Sequence, residues 1–503
     1  MTATPPVEPP HGALTIDSIV VEGGAAPRLV IAGSGAPGVA ALRGPRQDLP
    51  GEFVHAEGRY TGTFPLLVSR WNGPLLPAPS GRYSLTLDAT VSAALPDAVL
   101  SPGLLRAAVA TGASGLTVEI APPLADDERG PAAQAALEAQ YRSATAAPEN
   151  AVFFESFYGQ SATCNPLALD REFAATRPDI TRYWSVVDAS VRVPEGSVAL
   201  IEGSAEWWRI RGSARLLVVN DWLRNRFRKR SFQTVLQTWH GTPLKKIALG
   251  RPGVGLRTAL ATIRERSRWS IMLAQNPHST AVFRSAYAYL GPVWQEGYPR
   301  DDALVGDERV ATHAAAVRER LGLADDVTVL LYAPTWRDDR PDHIDHLEVA
   351  AFTDALGPGY VTLIRGHSRT LRPGRDLRAS NVLDVTGYPD VTELFLVADA
   401  LITDYSSVMF DYSVTGKPMF FFAPDLEHYR EQLRGFYFDL DDAAPGPVVQ
   451  DPAELVDLVL DRERVSAEYA GKYLDWQARF NPRDDGKSAQ RIVARLLQRG
   501  AVG

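Results

Sequence analysis

Short apolar stretches alternate with helix-forming segments over about the last 350 residues of this 503-residue chain. Such alternation is typical of parallel sheets with helices packed on both faces. The region is too long for one sheet, so it predicts an α/β fold with two Rossmann-like domains and a cleft between them. The predicted strands are residues 151–154, 215–220, 234–237, 271–274, 328–333, 360–365, 400–403 and 418–423.

The N-terminal part of the chain has a different pattern, in which short alternating runs are separated by Pro and Gly clusters. This spacing favours an all-β, sandwich-like module. An Ala-rich segment follows it and favours a helix. We therefore predict a β-rich accessory module over residues 1–130, a linker over 131–149, one Rossmann-like domain over 150–310, and a second one with the C-terminal helices over 311–503.

Charge balance and cysteine count exclude several classes of protein. The chain has 52 Lys and Arg against 60 Asp and Glu, a net charge of −8, which argues against a nucleic-acid-binding protein. Cys164 is the single cysteine, so an intrachain disulfide, a Cys-rich zinc site and a redox pair are excluded. The sequence has neither a signal-peptide pattern nor an apolar run of about 20 residues. We therefore expect a cytoplasmic protein that does not span a membrane.

A first candidate site follows the predicted strand that ends at Thr403. Asp404 comes next, and Ser406 and Ser407 stand where a helix should begin. Two hydroxyls and unpaired backbone amides at a helix N-terminus favour a bound phosphate. Asp411, one helical turn later, can reach a ribose attached to that phosphate. The simpler alternative is that the serines only cap the helix.

A second candidate site lies directly after the predicted strand 234–237. His240 is followed by a glycine at the strand end, where its imidazole can accept a hydroxyl proton near neutral pH. Lys245 and Lys246 follow and can hold anions. A single histidine is more often structural than catalytic, and it is the position at a strand end that favours catalysis here.

Cations follow two further predicted strands. Arg337 comes after strand 328–333, and Arg365 and His367 come at the end of strand 360–365. At the cleft they would face the serine-bearing helix and stabilise a pyrophosphate leaving group. For Arg337 a structural ion pair is an equally good alternative.

The segment from Gly297 to Asp302 favours a tight turn. Asp301 or Asp302 can orient His240 or fix an acceptor hydroxyl, although turn formation alone explains the segment as well. We predict no metal site and no required cofactor, with Mg²⁺ as an optional helper near Asp301, Asp302 and Asp404.

Fifteen Lys and Arg residues lie between Trp207 and Trp269, against Asp221 and Glu265 only. Such an excess favours a polyanion or an anionic membrane face as partner. The alternative is a solvated surface balanced by acidic residues from elsewhere in the fold. The predicted patch consists of Arg224, Arg226, Arg228, Lys229 and Arg230.

Six segments, in this order, resemble the CDP-glycerol glycerophosphotransferase family of teichoic acid primases and polymerases. The resemblance covers about residues 150–480 and leaves out the β-rich module. The matching segments are Phe-Glu-Ser-Phe from position 154 with Asn165-Pro, Trp-His-Gly-Thr-Pro-Leu-Lys-Lys from 239, Gly-Tyr-Pro-Arg-Asp from 297, Ala-Pro-Thr-Trp-Arg from 333, Arg-Gly-His from 365, and Thr-Asp-Tyr-Ser-Ser-Val-Met-Phe-Asp from 403.

This resemblance implies a GT-B architecture, with an acceptor domain followed by a CDP-alcohol domain. It implies transfer of glycerol phosphate, or ribitol phosphate, from its CDP ester to a hydroxyl of a teichoic-acid-like polymer or lipid-linked primer, with release of CMP. By the same resemblance His240 is the general base and His367 supports the donor pyrophosphate. Arg337, Ser406, Ser407 and Asp411 occupy positions that bind phosphate and nucleotide.

The expected partners are CDP-glycerol or CDP-ribitol, a polyanionic or lipid-linked acceptor, and the inner leaflet of the cell membrane as a peripheral contact. The sequence leaves two other classes of protein open. One is a GT-B glycosyltransferase that uses a nucleotide sugar for cell-surface polysaccharide synthesis. The other is a non-enzymatic binding protein, which would give no reason for His240, Arg337 and His367 all to follow strands.

Overall fold

The computed structural model describes residues 14–112, 115–143, 147–224, 226–335, 337, 345–366, 378–428 and 435–503. Its chain divides into two compact units. The first comprises the chain up to Asp127 together with Val187–Arg192, and the second comprises most of the remainder.

Strands of the first unit pair mainly in antiparallel fashion, as the alternating pattern predicts, whereas the sandwich arrangement stays a prediction. The strands are β1 (Thr15–Ile16), β2 (Ser18–Glu22), β3 (Arg28–Ser34), β4 (Ala41–Arg43), β5 (Asp48–Pro50), β6 (Glu52–Ala56), β7 (Arg59–Pro65), β8 (Leu67–Ser69), β9 (Leu75–Pro77), β10 (Gly81–Leu85), β11 (Thr90–Val91), β12 (Val99–Ser101), β13 (Leu105–Gly112) and β14 (Gly115–Ala121). Two larger sheets have the orders β12-β13-β14-β10-β4-β5 and β2-β3-β7-β6.

Alternation along these strands builds one apolar core for the first unit. In β3, Leu29 and Ile31 are fully buried while their neighbours are not, because successive side chains point to opposite faces. Gly33 of the same strand has no room for a side chain, since a Cβ there would lie 1.7 Å from the carbonyl oxygen of Thr15.

A first parallel sheet lies in the second unit. Its strands are β15 (Glu149–Glu155), β16 (Thr181–Val186), β17 (Val198–Ile201), β18 (Ala214–Val219), β19 (Thr234–Gln237), β20 (Ile271–Ala274) and β21 (Val293–Gln295). The spatial order is β17-β16-β15-β18-β19-β20-β21, and every pairing is parallel. Four of these strands match predicted ones, while β16, β17 and β21 were not predicted from the sequence.

The second parallel sheet of this unit has seven described strands as well. They are β22 (Thr328–Ala333), β23 (Tyr360–Ile364), β24 (Arg378–Ala379), β25 (Val382–Asp384), β26 (Ala400–Thr403), β27 (Met419–Phe422) and β28 (Val448–Val449). Their order is β24-β25-β23-β22-β26-β27-β28, with β24 antiparallel to its neighbour. The predicted mixed α/β fold with two parallel sheets is therefore confirmed.

Helices connect the strands of both sheets. They are α1 (Gly130–Ser143), α2 (Cys164–Thr176), α3 (Ala205–Ser213), α4 (Leu256–Arg266), α5 (Pro277–Ala286), α6 (Asp307–Leu321), α7 (Val349–Leu356), α8 (Val391–Val397), α9 (Val408–Tyr412), α10 (Leu426–His428), α11 (Leu440–Ala443), α12 (Pro452–Leu460), α13 (Arg462–Phe480) and α14 (Ser488–Gln498). None of the helices in the described ranges is long and apolar enough to cross a bilayer.

The C-terminal helix α14 packs against elements of the first sheet rather than the second. It contacts α2 and the short helical turn Pro299–Leu304. Its apolar stripe, including Ile492 and Leu496, is buried, and Arg495 pairs with Glu296 after β21 at 2.8 Å. The predicted domain boundaries place this helix with the second sheet, so α14 crosses from one half of the second unit to the other.

Candidate active site

His240 lies just beyond β19 and is held in one orientation by the backbone of the neighbouring strand. Its Nδ1 is 2.6 Å from the carbonyl oxygen of Asn220, the residue that follows β18. A carbonyl only accepts hydrogen bonds, so Nδ1 carries the proton and Nε2 keeps its lone pair. The ring stacks on Trp239, with centroids 4.9 Å apart, and contacts Phe157. The contact thus fixes the ring and leaves Nε2 as the nitrogen that can accept a proton.

Burial lowers the pKa of His240 below its ordinary value of 6.5. The negative charge of Asp221 and the hydrogen bond to Asn220 oppose this effect, and so does Asp411, while Arg300 adds to it. The imidazole is therefore neutral at pH 7 and ready to accept a proton.

The backbone around His240 adopts conformations that are uncommon for residues with a side chain. Trp239, Phe157 and Tyr158 have φ angles of 56°, 46° and 57°. Such left-handed residues cost free energy and gather at functional sites. Here they follow β15 and β19, the two strands on either side of β18 in the first parallel sheet.

Gly241 brings the His240 loop against the serines that follow β26. A Cβ on Gly241 would lie 2.9 Å from the Oγ of Ser407, and its φ of 153° lies outside the region that residues with a side chain favour. Only glycine allows this approach. The structure thus brings together two of the predicted candidate sites, one from each parallel sheet.

Ser406 and Ser407 are both partly exposed. Ser407 stands at the N-cap position of α9, but its side chain makes no capping hydrogen bond. Within the described parts of the chain, neither serine hydroxyl has a hydrogen-bond partner. The capping alternative is therefore not observed, and both hydroxyls can bind a ligand. The helix itself is short, five residues, so its dipole contributes less than the sequence pattern suggests.

Arg337, Asp404 and Thr403 are buried beneath these serines. Arg337 donates hydrogen bonds to Asp404 at 2.7 Å and to both carboxylate oxygens of Asp425, each at 2.7 Å. Thr403 donates to the carbonyl of Ala333 at 2.8 Å. These contacts match the structural ion-pair alternative for Arg337, and phosphate binding by these three residues stays a prediction.

Arg365 lies at the end of β23 and is half-buried. Its guanidinium donates to the carbonyls of Val385 and Tyr388. Burial lowers the pKa of Arg365 to about 10, so it still carries its charge at pH 7. His367, the second predicted catalytic residue, lies outside the described residues.

Asp301 and Asp302 have separate structural contacts. Asp301 is fully buried and accepts a hydrogen bond from Gln275 at 3.0 Å, while Asp302 accepts from the backbone amides that begin α14. Burial and the nearby carboxylates of Asp411 and Asp484 raise the pKa of Asp301. The described residues contain no group of three or more His, Cys, Asp or Glu side chains placed to hold a metal ion.

Asp411 is buried, and both of its carboxylate oxygens bind Arg300 at 3.1 and 2.7 Å. Sequence reasoning predicted a ribose contact for Asp411 and did not single out Arg300 or Asn220. Arg300 belongs to the Gly297–Asp302 motif, and its charge next to two aspartates was the available signal. Asn220 acts through its backbone carbonyl, for which sequence has no signal.

The predicted basic patch is largely engaged within the fold. Lys245 forms a backbone bridge with Phe436. Each of the five patch residues has a contact inside the protein: Arg224 with Glu202, Arg226 with Glu138, Arg228 with the carbonyl of Arg142, Lys229 with Ser270, and Arg230 with the carbonyl of Tyr141. Two of these partners are acidic, so binding of a polyanion or a membrane by the five residues stays a prediction.

Comparison with known proteins identifies the family. A family model described as CDP-Glycerol:Poly(glycerophosphate) glycerophosphotransferase matches residues 139–498. The teichoic acid glycerol-phosphate transferase of Staphylococcus aureus (strain NCTC 8325 / PS 47) is 34% identical over 369 residues, which cover 70% of this chain and 93% of that protein.

A second relative is longer than this chain. The teichoic acid poly(glycerol phosphate) polymerase of Bacillus subtilis (strain 168) is 34% identical over 358 residues, 68% of this chain. The matched region spans about half of that polymerase, 48% of its length.

A solved structure agrees with these sequence matches. A structure of a variant of the wall teichoic acid polymerase TagF, soaked with CDPG, superposes with a TM-score of 0.67 at 31% identity. It covers 73% of this chain and 93% of that one. The resemblance predicted from the six sequence segments is confirmed: the chain belongs to the CDP-glycerol:poly(glycerophosphate) glycerophosphotransferase family.

Proposed function

We propose that this chain transfers glycerol phosphate, or ribitol phosphate, from its CDP ester to a hydroxyl of a teichoic-acid-like polymer or lipid-linked primer. CMP is the second product. The observation that carries the proposal is the approach of the His240 loop to Ser407 across Gly241. The neutral form of His240, whose Nδ1 is engaged by Asn220, and the hydroxyl of Ser407, which has no partner among the described residues, support it. Family membership and the TagF structure soaked with CDPG support a CDP-alcohol as donor.

The reaction is an in-line displacement at the β-phosphorus of the donor. The acceptor oxygen attacks that phosphorus while Nε2 of His240 takes the hydroxyl proton. The bond from the β-phosphorus to the bridging oxygen breaks, and CMP leaves with that oxygen and its electron pair. The product is a phosphodiester that extends the acceptor by one alditol phosphate.

Positioning and charge stabilisation supply most of the rate enhancement in this proposal, as in other phosphoryl transfers. The hydroxyls of Ser406 and Ser407 donate to phosphate oxygens. Arg365 contributes positive charge beyond β23, and His367 supports the donor pyrophosphate. Arg337 contributes indirectly: its guanidinium is paired with Asp404 and Asp425, and so it positions the residues that surround the phosphates.

The finer architecture belongs to the same proposal. The two parallel sheets form a GT-B arrangement, with the acceptor on the side of residues 150–310 and the CDP-alcohol on the side of residues 311–503. The β-rich module over residues 1–130 is sandwich-like. Mg²⁺ is an optional helper of the donor pyrophosphate rather than a required cofactor.

A peripheral contact with the inner leaflet of the cell membrane is supported by α4. Leu256, Leu260 and Ile263 are spaced so that they lie on one face of this helix, and their exposed fractions are 86%, 70% and 36%. Arg257 and Arg264 on the same helix are exposed, and neither has an ion-pair partner among the described residues. Exposed apolar residues flanked by free cations are typical of helices that lie in a membrane interface.

The activity is tested by measuring CMP release from CDP-glycerol and from CDP-ribitol, with and without a synthetic lipid-linked primer. We expect acceptor-dependent release from one donor, and a product mass increased by the matching alditol phosphate. Turnover of a nucleotide sugar, with no CMP from either CDP-alcohol, would contradict the proposal and favour the glycosyltransferase alternative.

Replacing His240 by Ala removes the proton acceptor. We expect kcat to fall by a factor on the order of 10²–10⁴, since this is the usual contribution of general base catalysis. The measurement is steady-state CMP release, with donor affinity measured separately to show that the site is intact. A variant with near wild-type turnover would rule out the base assignment.

The ionisation of His240 is a separate prediction. Because burial lowers the pKa of His240, the imidazole should titrate below 6.5. Activity should rise with pH through this lowered pKa, since the base must be neutral to accept a proton. The titration is followed by NMR on histidine-labelled protein, with the resonance assigned by its loss in His240→Asn. A midpoint at or above 6.5 would contradict the electrostatics described above.

Membrane binding is tested by co-sedimentation with phosphatidylglycerol vesicles, using phosphatidylcholine vesicles as the neutral comparison. The double variant Leu256→Ser/Leu260→Ser should bind the anionic vesicles at least about tenfold more weakly. The reason is that two leucine side chains are no longer buried in the bilayer interface. The control is Leu474→Ser, at a leucine on α13 that is 66% exposed, and it should leave binding unchanged.

The same assay separates α4 from the basic stretch. Reversing the charges of Arg226, Arg228 and Lys229 should have the smaller effect, because these residues already have partners within the fold. Loss of binding in that variant, with normal binding in the leucine variant, would place the membrane contact on the basic stretch instead.

A further inference from the structure

The Arg300–Asp411 ion pair joins the two halves of the candidate active site. Arg300 follows β21 of the first sheet, and Asp411 lies in α9, which follows β26 of the second sheet. Both are buried, with 8% and 2% of their surface exposed. The two hydrogen bonds, Nε to Oδ1 at 3.1 Å and a terminal nitrogen to Oδ2 at 2.7 Å, form a bidentate pair with fixed geometry.

A continuous set of contacts leads from this pair to His240. The backbone amide of Arg300 donates to Oδ1 of Asn165 at 3.2 Å. The side-chain amide of Asn165 donates in turn to the carbonyls of Thr238 and Trp239, the two residues that precede His240. The base is thus attached, through Asn165, to the residue that binds α9.

On the other side of the pair, α9 carries Ser407 at its N-cap. The position of a Cβ on Gly241 lies 2.9 Å from the Oγ of Ser407 and 3.8 Å from a terminal nitrogen of Arg300. The ion pair therefore lies next to the point where the His240 loop meets the serine. A change in its length would change the distance between base and serine hydroxyl.

We propose that Arg300 is a positioning residue, whose bidentate pair with Asp411 sets the separation between His240 of the first half and Ser406 and Ser407 of the second. This inference rests on the proposed function, since it assigns those residues to base and phosphate binding. The Arg300–Asp411 pair differs from a purely structural ion pair, because the charges of both partners also affect the protonation of His240. The charged groups that face His240 are Asp221, Asp411 and Arg300.

The test compares Arg300→Gln, Arg300→Lys and Asp411→Asn in the full-length protein. Arg300→Gln should lower kcat about 100-fold, since a misplacement of about 1 Å can cost that much. Donor affinity, measured by calorimetry with CDP-glycerol, should change less than kcat, because the donor is proposed to bind to the second half alone. Arg300→Lys keeps the charge but cannot make the bidentate pair, and it should give an intermediate loss.

The pH profile of kcat/KM distinguishes positioning at the site from a loss of stability. Removing Arg300 takes away a positive charge near His240, so the acidic limb should move to higher pH. Asp411→Asn takes away a negative charge, so the limb should move to lower pH. The matched control is Arg182→Gln, which breaks another buried ion pair, with Asp170 at 2.7 Å, and should leave the limb where it is in the wild type.

Thermal unfolding of each variant shows whether it is folded at the assay temperature, and Arg300→Lys carries the test if Arg300→Gln is not. A wild type that turns over, with an Arg300→Gln variant that keeps kcat and the wild-type limb, would overturn this inference alone. An Arg300→Lys variant that keeps the wild-type kcat would do the same, and its limb should stay in place because the charge is kept. A wild type that releases no CMP from either donor would overturn the proposed function and this inference with it.

Discussion

The ion pair between Arg300 and Asp411 is the interaction on which the proposed geometry of the site depends. The pair is buried, so removing either partner would leave the other charge unpaired and poorly solvated. Such a change typically costs about 3–5 kcal/mol. His240 follows β19, and the two serines follow β26. These strands belong to different sheets, and neither sheet by itself fixes its distance from the other. We propose that the Arg300–Asp411 pair, which joins the two halves, sets that distance.

Around this pair, the carboxyl groups of Asp301, Asp411 and Asp484 lie close together. Both oxygens of Asp411 bind the guanidinium of Arg300. Asp301 has a raised pKa, and burial raises the pKa of Asp484 to about 7. His240 is affected in the opposite sense, since burial of a base favours its neutral form. Desolvation thus favours the protonated form of the Asp301 and Asp484 carboxyl groups and the neutral form of the imidazole that is proposed to act as base.

Much of the site was predictable from sequence, because parallel strands place the residues that follow them along one edge. The strands before His240, Arg337, Arg365 and Ser406 were recognised from their apolar patterns, and the structure has a strand at each place. The short strands β16, β17 and β21 were not recognised, because three to six residues with mixed polarity carry little periodicity. The function of Arg337 could not be decided either, since the acidic partner Asp425 lies 88 positions away in the chain.

Sequence by itself determined the local features of this protein: the alternation that builds two parallel sheets, the glycine at position 241, the serines after Thr403, and the motifs that identify the family. These depend on neighbours in the chain, which a sequence displays directly. Tertiary structure alone decided which cations contact other residues of the protein, as in the stretch from Arg224 to Arg230, and which have no ion-pair partner among the described residues, as Arg257 and Arg264 on α4. It also decided that Arg300 binds Asp411. Burial and ion pairing depend on residues far apart in the chain, and no local pattern records which of them will meet.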